Sequence, residues 1–287
     1  MVPLGGRNRP MIGAHPRLPH LVIGGAPRSG TTFICEVLNK HPDAFVAQPF
    51  IPEPKVCMTE DPAGDEGYRR RYASFFADAP PDALLVEKTS YYFENDAARA
   101  RLVRLLPAAK FVFILREPAA RAYSNWLWSR KNGLETLDFA QAIASEGARP
   151  DPLPPERSYA RPFSYMWRAR YGTFARFWIE AVGRHRIGFY VFEDVVANPE
   201  RFVASLQQFA GLRPMPWAQL ATGRINATDP PAADFAPALA ARLREAIRPE
   251  IETLVELTGV DVRAWTDSGP RHVCPDADFR RPAVKQR

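Results

Sequence analysis

His20-Leu21-Val22-Ile23-Gly24-Gly25-Ala26-Pro27-Arg28-Ser29-Gly30-Thr31-Thr32 is the stretch on which the reading of this chain turns. Leu21 to Ile23 form a short apolar run with the character of a buried strand. Thr31 to Lys40 predict a helix whose Phe33/Val37 and Ile34/Leu38 pairs share one face. Gly25 and Gly30 let the backbone between them curl without Cβ clashes. The first amides of a helix have no intrahelical partners, and with the helix dipole they make an anion site, most naturally for a phosphate. Gly25-x4-Gly30-Thr31-Thr32 has P-loop spacing, but Thr31 stands where nucleoside triphosphatases carry lysine, and the basic charge sits earlier, at Arg28. That substitution weighs against ATP or GTP hydrolysis.

Two further segments end apolar runs with charge. Lys110-Phe111-Val112-Phe113-Ile114-Leu115-Arg116-Glu117-Pro118 reads as a buried strand followed by a helix with Pro118 in its first turn, and Ser124 lies two turns in. Arg116 then falls at the carboxyl end of a strand, where open α/β sheets bind ligands. Leu84-Leu85-Val86-Glu87-Lys88-Thr89-Ser90-Tyr91-Tyr92-Phe93 reads as another strand, ending in a carboxylate beside an ammonium. Neighbouring side chains on a strand point oppositely, so Glu87 and Lys88 share a cavity only if the strand has already broken there.

Arg28-Ser29-Gly30-Thr31-Thr32 resembles the 5′-phosphosulfate loop of the sulfotransferases that use 3′-phosphoadenosine 5′-phosphosulfate (PAPS), with Arg where many members have Lys. The segment from Arg116 to Ser124 is similar to that family's 3′-phosphate signature, and Glu87-Lys88-Thr89-Ser90 resembles the Glu-Lys segment of the heparan-type carbohydrate sulfotransferases. The resemblance spans roughly residues 20 to 265, with the three motifs in the family's order. It implies that Arg28, Ser29, Gly30, Thr31 and Thr32 hold the 5′ end of PAPS, and that Arg116 and Ser124 hold the 3′-phosphate. It also implies Glu87 as general base and Lys88 as a partner of the sulfuryl oxygens. Arg224, in the loop Thr222-Gly223-Arg224-Ile225-Asn226, matches a late nucleotide-covering loop. The activity implied is sulfuryl transfer to a hydroxyl or amine of a carbohydrate or other small acceptor, without a metal. An ATP-dependent small-molecule kinase and a non-catalytic nucleotide-binding module are the rival readings.

The 287 residues, 46% hydrophobic and 24% charged, suffice for one large core. Net charge is +6, and Arg99 to Lys131 holds eight basic residues against one acid, Glu117, as suits a cleft for a polyanionic nucleotide. No nucleic-acid-binding signature accompanies that charge. Cys35, Cys57 and Cys274 cannot all pair and match no zinc spacing. No apolar run approaches the roughly 20 residues of a membrane span, and a soluble, cytoplasmic protein is expected.

Alternating strand and helix patterns predict a three-layer α/β domain with a mostly parallel sheet over residues 20 to 265, between an arm (1 to 19) and a tail (266 to 287). Gln48 to Asp65, with Pro49, Pro52, Pro54 and Pro62, reads as a loop beside the site, and 147 to 163, with five prolines, as an acceptor-binding loop. Tyr68 to Ala77 predicts a helix, Trp167 to Ala181 a core helix, and Leu239 to Leu254 a long helix containing Pro249. Glu193-Asp194 is expected to cap a turn, and His41 to cap an element end.

Overall fold

The structure, a computed structural model, describes residues 17–221 and 236–265. Five strands, β1 (Leu21–Gly25), β2 (Ala44–Val46), β3 (Leu84–Lys88), β4 (Lys110–Leu115) and β5 (Ile187–Val191), form one all-parallel sheet in the order β2-β3-β1-β4-β5. From β1 the chain goes to the sheet edge at β2, returns inward through β3, and then crosses to the other side of β1 with β4 and β5. The crevice above the carboxyl ends of β1 and its neighbours is therefore the point where the strand order reverses.

Alternation along each strand divides the core between the two faces of the sheet. Leu21, Ile23, Val86, Val112 and Ile114 pack with α1 (Thr31–Asn39) and α8 (Pro199–Ala210). Val22, Leu85, Phe111 and Phe113 pack on the opposite face with α2 (Gly64–Phe75), α3 (Asp96–Leu105) and α6 (Tyr171–Val182). Trp178 of α6 is wholly buried there, its ring centroid 4.7 Å from Phe111 and 4.9 Å from Phe113. Truncating such a residue to alanine costs about 3–5 kcal/mol. The result is the expected three-layer α/β sandwich. α4 (Pro118–Lys131), α5 (Phe139–Ala144) and α10 (Pro237–Thr258) enclose a smaller cluster around Tyr123, Phe139 and Leu243.

Two local expectations change. The loop after β2 ends earlier than its composition suggests, because the Asp61 carboxylate accepts the Ala63 amide and turns the chain into α2 at Gly64, with Asp65 and Glu66 in the first turn. Glu193 and Asp194 do not cap a turn; they lie in the first turn of α7 (Phe192–Ala197), which follows β5 directly. Glu193 accepts the Glu117 amide at 3.0 Å and the Trp265 indole N–H at 2.8 Å. Among the described residues, no helix is long and apolar enough to cross a membrane.

Candidate active site

The turn from β1 into α1 is the floor of the site. Gly30 adopts φ 84° and is the N-cap of α1 without any side-chain cap, so the α1 amides face the crevice. A Cβ on Gly30 would lie 2.9 Å from the Phe192 ring, and one on Gly25 would lie 2.8 Å from the Ser90 carbonyl oxygen, so both positions exclude larger residues. Arg28 is itself left-handed, at φ 68°. A non-glycine residue in that region is held there by its surroundings. The Arg28 Nε donates to Ser124 Oγ at 3.0 Å, and the Arg28 carbonyl accepts from Arg116 Nη1 at 3.2 Å. Two segments nearly ninety positions apart in the chain are thereby joined at one end of the sheet.

Arg116 is held from both sides. Its guanidinium lies 5.0 Å from the centre of the Phe192 ring, and its carbonyl accepts from the Tyr171 hydroxyl at 2.9 Å. Glu117 caps α4, accepting the Ala119 and Ala120 amides, and pairs with Arg244 of α10 at 3.2 Å.

A cavity of about 380 Å³ opens over this floor. Arg28, Gly30, Thr31, Thr32, Lys88 and Arg116 line it, together with Ser90, Tyr91, Asn125, Trp128 and Phe192. Among the described residues its one acidic lining group is Glu53. Glu53 accepts from Ser90 Oγ at 2.7 Å and the Ser90 amide at 3.2 Å, and Lys88 Nζ lies 3.0 Å from its Oε1. Lys88 Nζ also donates to Thr32 Oγ1 at 3.2 Å. Three cationic side chains and a row of helix-start amides thus surround a space with a single carboxylate on its wall.

The strand β3 does not break before its end, and Glu87 and Lys88 accordingly point to opposite faces of the sheet. Lys88 enters the cavity, whereas Glu87 does not. Glu87 is fully buried on the α2 face, where it accepts from Tyr72 OH (2.7 Å), Thr89 Oγ1 (2.8 Å) and Tyr92 OH (2.8 Å). Burial pushes its carboxyl up to about 7, outweighing the downward pull of those three hydrogen bonds, with the Glu53 charge adding to the rise. Ser29 and Ser124 also lie behind the lining rather than in it, and Ser29 Oγ is buried without a hydrogen-bond partner. Arg224 lies outside the described residues. Burial pushes the Cys35 and Cys57 thiols up to about 12, which removes both as thiolate nucleophiles at neutral pH. Cys274 lies outside the described residues. His41 accepts the Asp43 amide at Nδ1 and meets the Arg213 carbonyl at Nε2, a pairing that fixes the end of α1. Among the described residues, no group of three or more His, Cys, Asp or Glu is placed to hold a metal ion.

The sequence reading missed Glu53. Its signal was an acid between two prolines, Pro52-Glu53-Pro54, in a loop that starts at the carboxyl end of a strand. The same reading passed over Tyr91, Asn125, Trp128 and Phe192, whose approach to the cavity depends on how helices pack.

A family model described as "Sulfotransferase family" matches residues 58–217, more than half of the chain and wholly downstream of the Gly25-to-Thr32 turn. The human bifunctional heparan sulfate N-deacetylase/N-sulfotransferase 2 is 28% identical over 207 residues, covering 69% of this chain and 22% of that protein. The human heparan sulfate glucosamine 3-O-sulfotransferase 6 is 26% identical over 209 residues, covering 69% of this chain and 53% of that protein. The chain therefore spans only part of the curated relatives it matches. In three dimensions it is similar to a sulfotransferase from Alicyclobacillus acidocaldarius, with a TM-score of 0.70 at 22% identity over 87% of this chain and 99% of the other. It is also similar to a mouse sulfotransferase complexed with PAP, with a TM-score of 0.54 at 13% identity over 84% and 88%. These two likenesses show a shared fold, and with the matched family model they place the chain: it belongs to the sulfotransferase family.

Proposed function

We propose that the chain transfers a sulfuryl group from PAPS to a hydroxyl or amine of a carbohydrate, with Glu53 as the general base. The observation that carries this reading is the position of Glu53, the acidic member of a cavity whose other lining residues are cationic or neutral. PAPS supplies an activated sulfuryl group on a phosphate leaving group, and the residues present fit it. The uncapped start of α1, the Gly30 position that admits no Cβ, and Arg28 and Lys88 suit the phosphosulfate end. Arg116, backed by Phe192 and tied to the Arg28 carbonyl, suits the 3′-phosphate, with Ser124 acting through Arg28.

In the reaction the acceptor oxygen or nitrogen forms a bond to sulfur as the bond from sulfur to the bridging phosphate oxygen breaks. The acceptor proton passes to the Glu53 carboxylate. Negative charge that builds on the departing phosphate is met by Arg28, Lys88 and the α1 amides, which are already oriented and need not reorganise. Lys88 lies between Glu53 and Thr32 and so touches both the base and the anion loop. Glu87, implied as base by its sequence context, is fully buried on the far side of β3, accepts from three hydroxyls and does not line the cavity.

The carbohydrate acceptor is supported by the names of the relatives that cover most of this chain, which act on heparan sulfate. The test is transfer of label from radiolabelled PAPS to de-N-sulfated heparin, which offers both free amines and hydroxyls, alongside direct binding of 3′-phosphoadenosine 5′-phosphate (PAP). Labelled product with PAP binding is the expected result. PAP binding without labelled glycan overturns the acceptor class, and absence of PAP binding overturns the donor.

A further inference from the structure

Glu87 is a fully buried carboxylate for which the reading above has no use, yet every hydrogen bond around it leads toward the loop that carries Glu53. Its Oε1 accepts from Thr89 Oγ1 and Tyr92 OH, and its Oε2 accepts from Tyr72 OH. A hydroxyl has one proton, so the three donors are fixed in direction, and their oxygens are left to accept. Thr89 Oγ1 accepts the Lys55 amide at 3.0 Å, and Tyr92 OH accepts the Cys57 amide at 3.2 Å. Tyr72 OH lies 3.7 Å from Cys57 Sγ.

The segment immediately after Glu53 therefore hangs by two main-chain amides from two hydroxyls, and both of those are aimed by one carboxylate. The loop needs such a hold. Lys55 sits at φ 53°, a left-handed conformation that a residue with a Cβ keeps only under outside constraint. Its amide is the group that Thr89 captures.

We propose that Glu87 is a positioning residue: by orienting the hydroxyls of Thr89 and Tyr92 it holds residues 55 to 57, and so keeps Glu53 against Ser90 in the cavity. The proposal rests on the assignment of Glu53 as base and acts from the opposite face of the sheet. A leucine at position 87 takes the shared acceptor from Thr89 and Tyr92, whose hydroxyls can then turn and lose their hold on the loop, whereas a glutamine can keep its oxygen toward those two and turn its N–H₂ to the Tyr72 hydroxyl. Nothing else in the cavity lining changes.

The experiment follows hydrogen exchange at the Lys55 and Cys57 amides in the full chain, together with the rate of label transfer to de-N-sulfated heparin against pH. In Glu87→Leu the two amides exchange at least tenfold faster while amides of β1 and β4 keep their protection, and in Glu87→Gln they stay near wild type. In Glu87→Leu the kcat also falls about tenfold, the acidic limb of the pH profile persists, and the PAP dissociation constant stays within twofold. Thr89→Ala reproduces the faster exchange at Lys55 and the lower kcat, Thr89→Ser restores both, and Glu87→Leu with Thr89→Ala costs no more than either alone.

Unchanged exchange in Glu87→Leu overturns the proposal, and so does full kcat in the folded variant. Loss of the acidic limb in Glu87→Gln also overturns it, since Glu87 would then be the base. If Glu87→Leu does not fold, the Thr89→Ala and Thr89→Ser pair decides, and wild-type exchange at Lys55 in Thr89→Ala sinks the idea. Exchange needs no acceptor, so the hold on the loop and the assignment of Glu53 fail separately: a fully active Glu53→Gln removes the base without altering exchange at Lys55.

Discussion

Two carboxylates stand on opposite faces of the end of β3, and they differ in nearly every respect that is used to recognise an acid-base group. Glu87 is sealed from solvent, pushed up to about 7 by burial, and ringed by three hydroxyls. Glu53 comes from a proline-rich loop, pairs with Lys88, and opens onto the cavity. A perturbed carboxyl is a candidate for proton transfer only where a substrate proton can reach it. Access therefore favours Glu53, and the more unusual environment of Glu87 has a different physical cause: a carboxylate on the buried side of a strand, compensated by hydroxyls rather than by a cation.

The sharpest way to break that comparison is Glu53→Gln. Loss of a general base lowers kcat by about 10²–10⁴-fold. PAP binding should remain within a few-fold of wild type, because Arg28, Arg116 and the α1 amides are unchanged and Lys88 keeps its charge and its bond to Thr32. A variant that keeps wild-type turnover would move the base elsewhere.

Next in size is the effect of pH on stability, which separates Glu87 from Glu135. Glu135 is also buried, but it takes two hydrogen bonds from Arg149 at 2.9 and 2.6 Å and one from the Tyr165 hydroxyl at 2.6 Å. Desolvation opposes the charge there, yet those bonds and the Leu137 amide win and hold the carboxyl down at about 2. For Glu87 the folded value is raised from 4.5 to about 7. The folded chain then binds more protons than the unfolded one between those limits, and the contribution of this group is full below 4.5 and lost as pH rises to about 7. Its ceiling is about 3 kcal/mol. Glu135 has the opposite sign: its contribution is present above 4.5 and lost as pH falls toward 2. Denaturant titrations of Glu87→Gln should lack the decline between pH 4.5 and 7, and a retained decline would show that other groups cause it.

Arg116→Ala tests the cavity side alone. It removes a charge-assisted contact to an anion together with the bond to the Arg28 carbonyl, and PAP should bind about ten- to a hundredfold more weakly by calorimetry. An unchanged dissociation constant would take Arg116 out of the site.

The same contrast explains what the sequence made legible. The layers, the parallel sheet and the meeting of Arg28 with the Arg116 segment follow from local patterns, because an apolar run ending in glycine or arginine fixes where a strand stops and what stands at its end. Strand alternation also gave the condition under which Glu87 and Lys88 part company, and β3 meets it by running through Lys88. Glu53 was hidden because a loop has no period. Its place depends on amides of residues 55 and 57 meeting hydroxyls 34 and 35 positions further on. Asn125 and Trp128 reach the cavity through the packing of α4, which no spacing within the helix specifies.

The smallest effect is also the finest probe of the sealed face. Tyr72→Phe deletes a single hydroxyl from the Glu87 ring and leaves the aromatic stack on Phe76, at 6.4 Å, intact. The Tyr72 hydroxyl donates to the ionised carboxylate, so its loss disfavours the charged form and raises the Glu87 carboxyl further. The consequence depends on pH. At pH 8, where Glu87 is largely ionised, a hydrogen bond to a charge is lost, at about 2 kcal/mol; at pH 5, where it is protonated, a neutral bond is lost, at about 1 kcal/mol. The two denaturant midpoints relative to wild type should therefore differ by about 1 kcal/mol, with the larger loss at pH 8. Thr89 and Tyr92 keep their bonds to both Glu87 and the loop, so exchange at the Lys55 amide should stay near wild type. A loss of stability equal at both pH values would mean that the hydroxyl of Tyr72 serves Cys57 rather than the carboxylate, and that the charge on Glu87 is compensated by Thr89 and Tyr92 alone.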